Sequence, residues 1–127
     1  MQVFGIGIDI IEIHRIEETL GRHGERFLHK ILTEREQAYC LAQKRPAVHV
    51  AARFAAKEAV SKAFGTGIGA ELGWLDVEVV RREGGAPEIL LAGAGAAFAE
   101  KSGISEIKIS LSHARDYAVA KAMAFTE

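Results

Sequence analysis

The first stretch of the chain, Val3 to Ile11, is dense in β-branched residues and predicts a strand. Apolar and charged positions then interleave from Glu12 to Leu20, which predicts a helix closed by Gly21 and followed by a short Arg/His-rich segment, Arg22 to Lys30. Thr33 with Glu36 three positions later is a capping-box pattern and predicts a second helix that ends before Pro46. Ala47 to Phe64 is alanine-rich and free of glycine and proline, the clearest helix in the sequence, and Gly65 stands where glycine often ends one. The second half alternates instead. Leu75, Val77 and Val79 mark a strand within Trp74–Arg82, Gly84, Gly85 and Pro87 a turn, and Ile89–Leu91 a short strand. Ala94–Lys101 reads as a small-residue helix ending near Gly103. Ile107, Ile109 and Leu111 alternate with Lys108, Ser110 and Ser112, and Tyr117–Phe125 alternates as well, with His113–Asp116 as the hairpin connection. Early helices and late antiparallel strands define an α+β architecture, with residues 1–127 as one domain.

Composition narrows the classes. A chain of 127 residues with 49% hydrophobic and 26% charged positions can bury a real core without staples. Its single cysteine, Cys40, allows no internal disulfide and no cysteine-built zinc site, and reads as a small apolar helix residue. The longest uncharged run, Ile89–Ala99, is eleven residues, whereas a membrane span needs about twenty. The opening MQVFGIGID carries an acid and no early base, unlike a targeting segment, so a cytoplasmic protein is expected. A formal charge of −1 and the lack of a recognition motif speak against nucleic acid as a partner.

Several residues stand out for chemistry. Asp9 lies inside an apolar strand, where an ionised acid needs compensation from a salt bridge, a cluster of backbone N–H groups or a metal. On the alanine-rich helix, Arg53 and Lys57 share one face and Glu58 and Lys62 another, with Ser61 beside them. Such charges usually form a solvated face. If this helix packs beside the first strand, however, Glu58 meets Asp9, and two carboxylates with waters and phosphate oxygens suit Mg²⁺. Gly65-Thr66-Gly67-Ile68-Gly69 closes a helix where phosphate loops open one, so it is either a flexible connection or a bare backbone that a ligand can approach. Between Ala38 and Ala70 five bases face one acid, and Arg15, Arg22, Arg26 and Lys30 add a second basic run, which favours acidic partners. Ser112 and His113 end the best strand; adjacent strand residues face opposite ways, so they are no nucleophile–base pair, and His113 reads as a ligand contact or a turn residue.

Four segments, IGIDIIEIHR from Ile6, FLHKILTERE from Phe27, RFAAKEAVSKAFGTGIG from Arg53 and SLSHARDYA from Ser110, together resemble the 4′-phosphopantetheinyl transferases of the short holo-[acyl-carrier-protein] synthase type. They span nearly the whole chain in that family's order. The resemblance implies an antiparallel sheet packed with a long central helix, assembled as a homotrimer whose neighbouring subunits share each active site. It implies Mg²⁺-dependent transfer of phosphopantetheine from coenzyme A to a serine of apo acyl carrier protein, releasing adenosine 3′,5′-bisphosphate and supplying fatty acid biosynthesis. On that resemblance Asp9 and Glu58 hold the metal, and Glu58 and Lys62 are catalytic. Arg53, Ser61, Lys62, Gly65, Thr66, Gly67, Ser112 and His113 contact coenzyme A. Arg15, Arg22, Arg26 and Phe27 dock the carrier. The chain departs from the family's pattern at Ala86, and His23 and Glu25 fall where relatives vary. Glu36 lies in a shared stretch, yet its capping role is enough to explain it. A non-catalytic coenzyme A binder would not need both Asp9 and Glu58, and a phosphohydrolase would not need the basic docking run.

Overall fold

A computed structural model describes residues 1–127. The chain runs β1 (Gln2–Glu12), α1 (Ile13–Ile31), α2 (Glu34–Leu41), α3 (Pro46–Phe64), a 3₁₀ turn at Trp74–Asp76, β2 (Val77–Arg81), β3 (Pro87–Leu91), α4 (Gly93–Ser102), β4 (Ile104–His113) and β5 (Tyr117–Thr126). Strands β1, β5 and β4 form an antiparallel sheet in that order, and β2 and β3 a separate antiparallel pair. The α+β expectation and the long helix against the sheet both hold.

The inner face of the sheet is built almost without side chains. Ala118, Ala120, Ala122 and Ala124 of β5 are fully buried, and Gly5 and Gly7 of β1 lie beside them in the register. A Cβ on Gly7 would strike the Ala59 carbonyl oxygen, and one on Gly5 that of Ala63. Only glycine permits this approach. Helix α3, with Ala55, Ala56, Ala59 and Ala63 turned inward, therefore lies very close to β1 and β5. It belongs to two apolar clusters, one with β2, α4 and the sheet, the other with α1 and α2. The outer face is the reverse. Ile6, Ile8 and Ile10 point outward and are more than half exposed.

Three expectations are corrected. The first helix does not stop at Gly21; α1 continues through the Arg/His-rich segment to Ile31 and is only kinked at Gly24, whose φ of 44° no ordinary helix residue adopts. Burial of Leu28 and Ile31 holds the second part helical. Helix α2 ends at Leu41, before Pro46 as expected, whereas Trp74–Asp76 is a 3₁₀ turn, not strand. His113 belongs to β4, leaving Ala114–Asp116 as the connection. The exposed apolar strand face is centred on β1. Thr33 caps α2 as its sequence predicts, with Glu36 completing the box, and Gly65 ends α3 at a φ of 80°. No helix is long and apolar enough to cross a membrane.

Candidate active site

Close packing of α3 on β1 decides where the charged residues meet. Asp9 lies on the inner face of β1, opposite Ala120. Lys62 reaches across from α3 and donates to Asp9 Oδ1 and to the Ile8 carbonyl, each at 3.0 Å. Glu58 stands one turn earlier. Burial raises its carboxyl above the usual carboxylate range, and the Asp9 charge raises it further, while Lys62 partly offsets both. The carboxylate of Glu58 enters no hydrogen bond or ion pair within the chain. Two carboxylates held close with one half-exposed lysine carry surplus negative charge, which a hard divalent cation would neutralise. The chain supplies only these two, since no cluster of three or more His, Cys, Asp or Glu side chains exists. That donor set fits Mg²⁺, which keeps waters and takes phosphate oxygens for the rest of its shell.

The other charged face of α3 is not solvated. Lys57 is fully buried and spends its three protons on the Ile31 carbonyl at 2.6 Å, Glu36 Oε1 at 2.6 Å and the Trp74 carbonyl at 3.0 Å. Glu36 also accepts from the Thr33 and Val79 amides. This pair joins α1, α2, α3, the 3₁₀ turn and β2, a structural role far larger than a cap. Burial lowers the Lys57 pKa, and Glu36 works against that shift.

Arg53 is also buried, with its guanidinium 4.3 Å from the centre of the Tyr39 ring. It lies on the opposite side of α3 from Lys62, since nine residues make about two and a half turns. It faces α2 and β2, sharing a cavity with Tyr39, Glu78 and Arg81, while His113 sits on the inner face of β4 opposite Ala118. Asp9 and His113 thus occupy the two edges of the sheet, with β5 between them. Ser61 is buried and donates to the Glu58 carbonyl, and its own carbonyl accepts from the Thr66 and Gly67 amides. Those bonds fix the Gly65–Gly69 loop against the end of α3. Ser112 lies in the outer-face row opposite Val119, away from His113.

Arg15, Arg22 and Arg26 are exposed along α1 and Phe27 is half-buried against Phe54. A groove of about 380 Å³ runs between β1 and α1, lined by Asp9, Ile10, Arg15, Thr19, Phe27 and Phe54 among others. It connects the carboxylate pair to the basic helix. Sequence reasoning missed Phe54 in this groove, and Tyr39, His49 and Arg81 around Arg53. His49 precedes Arg53 by four residues, the helical spacing that could have signalled it.

The class follows from this arrangement of sheet, helix and paired carboxylates. The sequence profile of the 4′-phosphopantetheinyl transferase superfamily matches residues 5–122, and the chain belongs to that superfamily. Within it, the chain is a phosphopantetheinyl transferase of the holo-[acyl-carrier-protein] synthase kind. The Chlamydia pneumoniae holo-[acyl-carrier-protein] synthase is 49% identical over 124 residues, covering 98% of both chains. That of Moorella thermoacetica is 49% identical over 117 residues, covering 92% of this chain and 90% of its own. Among solved structures, the Neisseria meningitidis synthase superposes with a TM-score of 0.92 at 33% identity, covering 98% of this chain and 99% of its own. The Helicobacter pylori synthase, solved in complex with coenzyme A, gives 0.85 at 34% identity, with 94% and 99% covered.

Proposed function

We propose that the chain transfers the 4′-phosphopantetheine group of coenzyme A to a serine hydroxyl of apo acyl carrier protein. The serine oxygen forms a bond to the β-phosphorus, the pyrophosphate bond breaks, and adenosine 3′,5′-bisphosphate leaves; the product carrier serves fatty acid biosynthesis in the cytoplasm. The observation that supports this best is the carboxylate pair Asp9 and Glu58, with Lys62 beside it, at the end of a groove that opens onto Arg15 and Phe27. Asp9 and Glu58 would hold Mg²⁺, which when bound neutralises pyrophosphate charge as that bond breaks. Lys62 is free to leave Asp9 for the phosphates and stabilise the charge on the departing bisphosphate. The Gly65–Gly67 backbone lets the nucleotide approach the end of α3. Arg15, Arg22 and Arg26 attract an acidic carrier while Phe27 offers an apolar anchor.

Arg53 lies on the opposite side of α3 from Lys62, and His113 two strands across the sheet from Asp9. In a homotrimer the Arg53–His113 edge of one protomer would meet the Asp9–Glu58 edge of its neighbour, and the two would share coenzyme A. Ile6, Ile8 and Ile10 supply the apolar face for such an assembly.

The test is an intact-mass assay with coenzyme A, Mg²⁺ and apo acyl carrier protein. A carrier mass gain of one phosphopantetheine, abolished by a chelator, is expected; no gain with any carrier while coenzyme A still binds would leave a non-catalytic binder. Arg15→Glu is expected to raise the carrier KM about tenfold with little change in that of coenzyme A. Unchanged carrier KM would remove Arg15 from the docking surface.

A further inference from the structure

Arg53 is a buried cation with no ion-pair partner. The guanidinium is 3% exposed, its Nε has no hydrogen-bond partner, and its only polar contact is a long bond of 3.4 Å from Nη1 to the His49 carbonyl. A buried donor left unpaired is costly, so an acceptor from outside the chain is expected there. The neighbouring carboxylates are engaged elsewhere, Glu36 with Lys57 and Glu78 with Arg35. Neither Arg53 nor Arg81 pairs with an acid. Tyr39, Arg53 and Arg81 line a cavity of about 200 Å³, enough for a phosphate group, together with Arg35 and the paired carboxylates Glu36 and Glu78.

His49 lies next to this set, one helical turn before Arg53, and its carbonyl accepts from Arg53. Its ring lies edge-on to Tyr39 of α2 at 5.8 Å and to His113 of β4 at 6.4 Å. The charges facing it are all positive or potentially so: Arg53 on its own helix, His113 on β4 and Arg81 on β2. Burial and these three groups hold its imidazole below the ordinary histidine pKa, which favours the uncharged ring. A phosphate seated among them would reverse that balance, since a dianion at this distance favours the charged ring.

Resting on the coenzyme A reading above, we propose that His49 is a proton-operated specificity residue of the phosphate-binding edge. A phosphate group of coenzyme A engaging Arg53, Arg81 and His113 draws a proton onto His49, so that binding takes up a proton and tightens as pH falls.

The experiment is titration calorimetry of coenzyme A binding to the assembled protein at pH 6 and pH 8, each in two buffers of different ionisation enthalpy. Wild type and His49→Phe are compared, since phenylalanine keeps a ring against Tyr39. The coenzyme's own phosphate titrates in both, so the readout is the difference between them. Wild type is expected to gain about three- to tenfold more affinity from pH 8 to pH 6 than the variant, with an uptake of protons the variant lacks. Equal gains with coenzyme A bound would overturn the role of His49 and leave the enzyme reading intact. Absence of coenzyme A binding at both pH values would overturn the enzyme reading, and this one with it. An NMR titration of the wild-type His49 ring reads the same linkage without substitution: its pKa should rise on binding coenzyme A, and an unchanged value would refute the proposal.

Discussion

Helix α3 carries two lysine–carboxylate clusters five residues apart, and their surroundings give them opposite uses. Lys57 is fully buried and all three of its protons are committed, while Glu36 is held by Lys57 and two backbone amides. Nothing there is free to bind or to move. Lys62 is half exposed, holds only Asp9 and the Ile8 carbonyl, and stands beside Glu58, whose carboxylate has no partner. The first cluster is satisfied within the chain, which makes it structure. The second has excess negative charge and a mobile cation, which leaves it ready for a metal and a phosphate. The same residue types in the same helix are divided by whether the fold completes their bonding.

Breaking the buried cluster should have the largest effect. Lys57→Met strands the Glu36 charge and should cost about 3–5 kcal/mol, seen as a lower denaturant midpoint. Adding Glu36→Gln should restore part of the loss, because glutamine can still accept from the Thr33 and Val79 amides. If the single variant is as stable as wild type, the pair is not the anchor described.

Breaking the open cluster should instead separate activity from stability. Glu58→Gln is expected to lower turnover about 10²–10³-fold while the metal-free protein melts no earlier than wild type. A parallel loss of stability would make Glu58 structural. Lys62→Met should act mainly on kcat, by about tenfold to a hundredfold, with carrier KM little changed. A change confined to carrier KM would place Lys62 in docking.

The smallest effect concerns pH. The Glu58 carboxyl is raised in the folded chain, so the native state binds its proton more readily than the unfolded one. Stability from this group is therefore greatest below the ordinary carboxylate pKa and falls as pH rises through the raised value. For this partly exposed group solvent screening keeps the effect small. Mg²⁺ should raise the melting temperature above that window and little below it. The melting profile of Glu58→Gln should lack this component, and a profile identical to wild type would dissociate it from Glu58.

Much of this was legible in the sequence. The capping box at Thr33 and Glu36, the Gly65 stop and the paired strands at the end depend on local rules, and each element appears where those rules put it, within a few residues. The Gly21 stop failed because burial of Leu28 and Ile31 outweighs the weak helix propensity of Gly21 and the bend at Gly24. On β5 the alternation was visible but its sense was not. The larger Tyr117, Val119, Met123 and Phe125 face outward and the alanines inward, because the partner helix approaches too closely for anything larger.

By itself, then, the sequence determined the strands, most of the helices, and a set of residues similar to a known family's site, since those depend on spacing and residue type. Tertiary structure alone decided which of those charges are chemistry. Glycine at positions 5 and 7 brings α3 onto β1, and that contact sets Lys62 on Asp9 with Glu58 beside it. The same helix turns Lys57 into the interior and Arg53 toward Tyr39. No linear pattern separates these fates, because they follow from what lies opposite each side chain, and residues opposite one another in space are far apart in the chain.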